Sequence, residues 1–277
     1  MRPLVVKFGG ELIEDRACLA TVVAGLTAIA GGGAPVVIVH GGGKEIDAAL
    51  KTAGLEKRQI EGLRITDEPT LEVVVAVLAG AVNTRFVAAL NTSGLKAVGL
   101  TGADASCGLC QAAPPHRTVD GRVVDLERVG IPDAGADMQV VHTLTAGGFI
   151  PVIACIGLGR DGRLLNVNAD TFAGHLAARL GARRLVIAGT TPGVLDADGA
   201  TLPQLDTHAV TRLVGDGTAT AGMIAKLRAC EHALAGGVDD VVIVDGRDRQ
   251  ALEGAASSGA PARATRLVKR AARMVTA

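Results

Sequence analysis

Apolar β-branched runs alternate with segments of helical periodicity along nearly the whole chain. Val5-Val6-Lys7-Phe8 reads as a strand that stops in Gly9-Gly10, and residues 35–39 read as a second that stops in His40-Gly41-Gly42-Gly43. Between them Leu19, Val22, Val23, Leu26 and Ile29 recur at helical spacing until Gly31-Gly32-Gly33 ends the run. Residues 45–50 continue as a helix, and residues 71–90 predict a long one rich in Val, Ala and Leu. Residues 97–100 and 149–156 read as buried strands, the second ending at Gly157, with a helix over 138–146 before it. From 102 to 128 the pattern weakens. Pro114-Pro115 and Asp120-Gly121 mark turns there, and Thr118-Val119 with Val123-Val124 suggests a hairpin. The second half repeats the alternation: helices at 176–180, 209–214 and 224–234, strands at 184–188 and 241–244, and glycine-rich loops at 189–193 and 217–222. No long polar linker interrupts it. The pattern predicts an α/β unit of two packed lobes with a hinge near 165–175.

The glycines set the chemistry. In open α/β sheets, ligands bind where strands end and helices begin, and bare glycine N–H groups at such a place accept anions. Lys7 stands two residues before Gly9-Gly10, where an unpaired lysine is costly to bury; it reads as a cation aimed at phosphate, or else as a side chain snorkelling at a sheet edge. The turn after His40 is a second candidate anion site. It has neither Walker A nor GxGxxG spacing, and the plain alternative is a tight turn.

Bulk properties narrow the field. The 277 residues suffice for one large core, and 48% apolar with 20% charged is a globular composition. Lys plus Arg and Asp plus Glu balance at 28 each, so no basic field draws the chain to nucleic acid. Phe8, Phe86, Phe149 and Phe172 are its only aromatics besides histidine, which removes the stacking platforms of single-strand binders. No uninterrupted apolar run reaches the roughly 18–20 residues of a membrane helix, and Met1-Arg2-Pro3 leads straight into a strand, so a cytoplasmic protein without a membrane partner is expected. Five cysteines make a poor disulfide framework.

Other motifs carry weaker signals. Arg64, in Gly62-Leu63-Arg64-Ile65-Thr66-Asp67, suits a carboxylate ligand, or a surface ion pair with Asp67 or Glu68. Asn166, Asn168 and Asp170 share one face if their segment is extended; they read as substrate recognition plus a carboxylate orienting lysines, with Asp170 alternatively an N-cap. Lys226, near a helix start, opposes the dipole and wants a local anion, or else solvent. Cys107-Gly108-Leu109-Cys110 lacks the second pair of a zinc site and reads as a plain loop, and no metal-ligating residues are assigned. The six histidines show no ligand spacing, and no GxSxG elbow occurs.

Taken in order, Val6-Lys7-Phe8-Gly9-Gly10, Val39-His40-Gly41-Gly42-Gly43, 62–67, 78–83, 166–170, 192–196 and Gly222-Met223-Ile224-Ala225-Lys226 resemble the motif series of the amino acid kinase family across nearly the whole chain. Within it the resemblance is to the branch acting on N-acetyl-L-glutamate. It implies a three-layer αβα sandwich on a mainly parallel sheet, with an acceptor-binding and dimerising lobe over 1–167 and a nucleotide-binding lobe over 168–277. It also implies an ATP-dependent kinase of arginine biosynthesis that forms an acyl phosphate, with Mg²⁺ carried by the nucleotide, working as a homodimer. By matching motif, Lys7 and Lys226 would stabilise the transferring phosphoryl group and Asp170 would hold the lysines. Gly10, Gly42 and Gly43 would offer N–H groups, Arg64 would clasp the acceptor's α-carboxylate, and Asn166 would recognise the rest of it. Gly9, Thr190, Thr191, Gly193 and Leu195, with Thr218 and Thr220, would lie against ATP.

Two departures stand out. Ala188-Gly189-Thr190 occupies the place of an aspartate usual in the nucleotide loop. Arginine-inhibited members carry an N-terminal helix before the first strand and a C-terminal signature that 248–265 matches poorly, so a dimer insensitive to arginine is expected. The rival acceptor is an α-aminoadipate derivative, free or carrier-bound, one methylene longer. A non-catalytic anion-binding protein on the same fold is the other-class alternative.

Overall fold

A computed structural model of the chain describes residues 1–118, 120–215, 221–257, 259, 261 and 263–269. The N-terminal elements are β1 (Leu4–Phe8), α1 (Glu11–Glu14), α2 (Arg16–Gly31), β2 (Val36–His40), α3 (Gly43–Thr52), β3 (Gln59–Ile60) and β4 (Leu63–Arg64). A long helix follows as α4 (Glu68–Val75), a π-helical stretch Ala76–Val82 and α5 (Asn83–Thr92). Then come β5 (Ala97–Thr101), β6 (Leu109–Ala112), β7 (His116–Arg117), β8 (Val123–Val124), β9 (Val129–Pro132), α6 (Gln139–Ala146), β10 (Ile150–Ala154), β11 (Ile156–Gly159) and β12 (Leu164–Val167). The C-terminal elements are α7 (Ala169–Arg179), β13 (Arg184–Gly189), β14 (Gln204–Asp206), α8 (Thr207–Gly215), α9 (Ala221–Ala235), β15 (Asp240–Asp245), α10 (Arg249–Ala256) and β16 (Ala264–Val268).

Eight strands form one sheet in the order β14-β16-β15-β13-β1-β2-β10-β5. Only the β15–β16 pairing is antiparallel. Every residue of β1, β2, β10 and β13 is buried. Successive strand residues point to opposite faces, so these strands are covered on both sides, as parallel sheets require. That is the sandwich the sequence resemblance implies. Register sets the site: Lys7 lies between Ile187 and Val39, and Phe8 between Ala188 and His40. The glycines after Phe8, Ala188 and His40 therefore emerge side by side at the carboxyl edge.

The strand expected over 149–156 is two. Cys155 breaks it, and β11 leaves the main sheet to close a small barrel with β12, β9 and β6. The hairpin is shifted: His116 and Arg117 pair with Val124 and Val123, and Val119 lies outside the described residues. Helix Glu68–Thr92 is long and apolar enough, by length and composition, to cross a membrane, although Glu72 and Arg85 interrupt it and no unbroken apolar run in it reaches that length. Here its Leu71, Val74, Leu78, Val82, Phe86 and Leu90 are buried in the protein core, and the Phe86 ring meets Phe8 edge-on at 5.8 Å.

Candidate active site

The two glycine turns touch. A Cβ on Gly10 would stand 2.7 Å from the Gly42 Cα, and one on Gly42 would stand 2.8 Å from Leu78 Cδ2. At Gly10 the obstacle is backbone, so glycine is a packing requirement there, whereas at Gly42 it is the end of the Leu78 side chain, which can shift. Strand pairing continues into the turns: Gly9 N–H donates to Ala188 O at 3.1 Å, and Gly41 N–H to Phe8 O at 3.2 Å. Gly42 is the N-cap of α3 and has no side chain to cap with. Glu14 supplies that function from α1, its carboxylate accepting from Glu45 N–H at 3.2 Å.

His40 takes no place in the cavity wall. It is fully buried, its Nε2 meets Asn83 Nδ2 at 2.9 Å, and the same Asn83 amide donates to Val152 O at 2.9 Å. Burial pushes its imidazole down to about 4, so the ring is neutral and braces the glycine turn against the long helix.

Lys7 Nζ lies 2.8 Å from Asp170 Oδ1, both side chains nearly buried. Burial pulls the ammonium down, but the charge and hydrogen bonding of Asp170, aided by Glu11, outweigh it and raise its pKa. Asp170 is not the N-cap of α7. Asn168 is, its Oδ1 accepting from Asp170 N–H at 3.0 Å and Thr171 N–H at 3.1 Å, and this leaves the Asp170 carboxylate for Lys7. Lys226 enters from α9, its Nζ 3.4 Å from where a Gly189 Cβ would stand. Burial lowers its pKa, partly offset by Asp170 and reinforced by Lys7.

The cavity beside these groups is lined by Lys7, Gly9, Gly10, Glu11, Gly42, Gly43, Arg64, Asn166 and Asp170, among others. Arg64 pairs with Asp47, not with Asp67 or Glu68; Asp67 is taken by Arg58 at 2.7 Å. Burial raises the Asp47 pKa, but Lys57 and Arg64 outweigh it and hold the carboxyl below its usual range. Arg64 Nη1 is buried and, among the described residues, has no hydrogen-bond partner. Asn166 Nδ2 donates to Thr66 Oγ1 at 3.1 Å. Gly43 is open, with nothing within 4 Å of its Cβ direction.

Of the expected nucleotide residues, Gly9 lines this cavity, whereas Thr190, Thr191, Gly193 and Leu195 lie outside its lining. Thr190 follows β13, and its carbonyl accepts from Arg247 Nη2 at 2.7 Å. Gly193 has φ +112° and packs on Thr265, whose Oγ1 accepts from Val194 N–H at 2.7 Å. Leu195 is 42% exposed. Thr218 and Thr220 lie outside the described residues. Cys107 and Cys110 are free and buried, and burial pushes both thiols up to about 12, far from thiolate character. Sequence reasoning missed Glu11 and Glu14. The acidic spacing after Gly9-Gly10 was the only signal for them.

The amino acid kinase family model matches residues 2–245. The chain is 40% identical over 260 residues to acetylglutamate kinase of Novosphingobium aromaticivorans, covering 91% of this chain and 86% of that protein. It is 41% identical over 250 residues to the acetylglutamate kinase of Methylobacterium nodulans, covering 88% and 81%. Among solved structures, N-acetylglutamate synthase from Neisseria gonorrhoeae, complexed with coenzyme A and N-acetyl-glutamate, superposes with TM-score 0.82 at 24% identity over 98% of this chain and 60% of that one. Carbamate kinase from Giardia lamblia superposes with TM-score 0.68 at 15% identity over 97% and 99%. At these identities the structural likenesses speak to fold alone.

Proposed function

The chain belongs to the amino acid kinase family, and from that premise we propose that it phosphorylates the side-chain carboxylate of N-acetyl-L-glutamate with ATP, giving an acyl phosphate and ADP in arginine biosynthesis. The observation that carries this reading is the Lys7–Asp170 pair beside two touching glycine turns, in a cavity that Arg64 and Asn166 also line.

The acceptor carboxylate is ionised at neutral pH, so no general base is needed. What remains is alignment and neutralisation of charge on the phosphoryl group in transit. Lys7, on β1 two residues before Gly9, and Lys226, on α9 beside Gly189, supply positive charge at the carboxyl edge. Asp170 keeps Lys7 charged and fixed. Gly10, Gly42 and Gly43 offer backbone N–H groups at close range because no side chain intervenes. Arg64 receives the α-carboxylate of the acceptor on its unpartnered Nη1, with Asp47 holding the other end of the guanidinium, and Asn166 bonds the remainder of the acceptor. Gly9, Thr190, Thr191, Gly193 and Leu195 contact the nucleotide. Mg²⁺, carried by the nucleotide, adds positive charge against the phosphates.

The lobe division at 167/168, the homodimer and the cytoplasmic setting are part of the same reading. The longer aminoadipate acceptor is disfavoured by the acetylglutamate kinases at about 40% identity. The test is ADP release from the purified protein with ATP, Mg²⁺ and N-acetyl-L-glutamate: release that requires the acceptor supports the reading, and acceptor-independent or absent release refutes it.

A further inference from the structure

One charged group in the cavity has no part in that scheme. Glu11 follows the first glycine turn, and its carboxylate lies flat over Gly9: Oε1, Cδ and Oε2 all fall 2.6–2.7 Å from where a Gly9 Cβ would stand. The same Oε1 is 4.0 Å from the Cβ position of Gly189, while Lys226 Nζ is 3.4 Å from that point. Gly9 and Gly189 end the adjacent strands β1 and β13. Glu11 thus lies over the bare edge of the sheet from Gly9 toward Gly189 and Lys226, and its charge favours the protonated form of both lysines. Among the described residues its carboxylate has no hydrogen-bond or ion-pair partner.

A free carboxylate is the wrong charge for a polyphosphate subsite. Lys7 is already neutralised by Asp170, so Glu11 leaves the site short of the positive charge that a bare nucleoside triphosphate needs. The arrangement makes sense if the incoming phosphates bring a divalent cation, because Mg²⁺ is commonly held by one or two carboxylates together with substrate phosphates and keeps several waters.

Resting on the kinase reading above, we infer that Glu11 is the residue by which this enzyme discriminates metal-complexed nucleotide from free nucleotide: it faces the cation, directly or through its waters, and repels uncomplexed phosphate. Gly9 and Gly189 are bare so that this carboxylate and the cation share the strand edge. A serine or aspartate at 189 would project toward Lys226 and Glu11.

The test is the dissociation constant of a non-hydrolysable ATP analogue, measured by calorimetry with Mg²⁺ and with EDTA, for wild type and Glu11→Gln. The change is nearly isosteric and leaves a part-exposed side chain, and thermal melting checks that the variant is folded. For wild type, binding is much tighter with Mg²⁺. In Glu11→Gln the EDTA-to-Mg²⁺ ratio shrinks on the order of ten-fold, with metal-free binding strengthened and metal-bound binding weakened. An unchanged ratio in the folded variant overturns the inference while leaving the kinase reading intact. A wild-type chain that binds the analogue in neither condition overturns both.

Discussion

Lys7 Nζ stands 2.8 Å from Asp170 Oδ1, tying the end of the first strand to the first turn of α7. The pair is nearly buried, and its cost is met only because each charge has the other. Removing the cation therefore has two consequences. Lys7→Ala lowers turnover by about 10²–10³-fold, the scale of one lost transition-state donor, and Lys226→Ala does the same. Lys7→Ala also destabilises the fold by about 3–5 kcal/mol, since it strands a buried carboxylate. Steady-state kinetics and urea melts on both variants check this; near-wild-type turnover in either contradicts it.

The contact between the glycine turns gives a second expectation. Gly10→Ala directs a methyl at the Gly42 Cα from 2.7 Å, and backbone cannot yield as a flexible side chain can. Overpacking of this kind costs about 1–3 kcal/mol, and here it also pushes apart the N–H groups aimed at phosphate. Activity should fall at least as far as stability predicts, whereas Gly43→Ala, with open space around it, leaves stability within about 0.5 kcal/mol. Parallel melts and rates separate the two.

Arg64 tests the acceptor assignment. Its Asp47 partner fixes one edge of the guanidinium and leaves Nη1 for a ligand. Arg64→Lys keeps the charge but loses the fork, so KM for the acceptor rises roughly ten-fold or more while KM for ATP stays put. A rise confined to the ATP KM contradicts the assignment.

Much of this was legible in the sequence. The strand ends at Phe8 and His40 were plain, because fully buried parallel strands leave near-continuous apolar runs and glycines punctuate them. Lys7 and Arg64 were legible as charges in apolar settings, and Asp170 as the carboxylate that closes a run of small polar residues. The Asp47 partner of Arg64 was not, since a chain crossing that no local pattern records brings it up. Two small misreadings have the same origin. Asp170 looked like an N-cap because it sits beside the helix start, but Asn168 reaches the free N–H groups first. Residues 149–156 looked like one strand because Cys155 is as apolar as its neighbours, although the chain changes sheets there. Glu11 was invisible as a site residue: its role depends on Gly9 and Gly189 lying on adjacent strands.

The buried histidines set a pH limit. Burial holds His40 down to about 4, and burial with His232 and Arg179 nearby holds His175 down to about 4. Between pH 4 and about 6.5 the unfolded chain binds protons on these rings that the folded chain does not, so stability falls as pH falls through that window and each ring contributes roughly 1.4 kcal/mol per pH unit. Urea midpoints at pH 7.5, 6 and 5 should decline steadily, and His175→Asn should flatten the slope. A midpoint flat from 7.5 to 5 contradicts the neutral, buried state of both.

Asp240 anchors the other end of the sheet. Arg184 holds its carboxylate with two bonds of 2.6 Å and Arg266 adds a third of 2.6 Å. Burial raises its pKa, but Arg184 and then Arg266 outweigh it, so its stabilisation is full above the unfolded pKa and is lost as pH drops through the lower folded value. Asp240→Asn should cost about 3–5 kcal/mol in a urea melt and leave KM values unchanged, because the cluster is remote from the cavity.

Hydroxylamine trapping reads directly the acyl phosphate bond formed on the N-acetylated amino acid. With ATP and Mg²⁺ present, N-acetyl-L-glutamate should give a hydroxamate faster than N-acetyl-L-α-aminoadipate does, and Lys7→Ala should give almost none. Preference for the longer acid contradicts the acceptor, and no hydroxamate from either, with folded protein that binds ATP, contradicts the reaction.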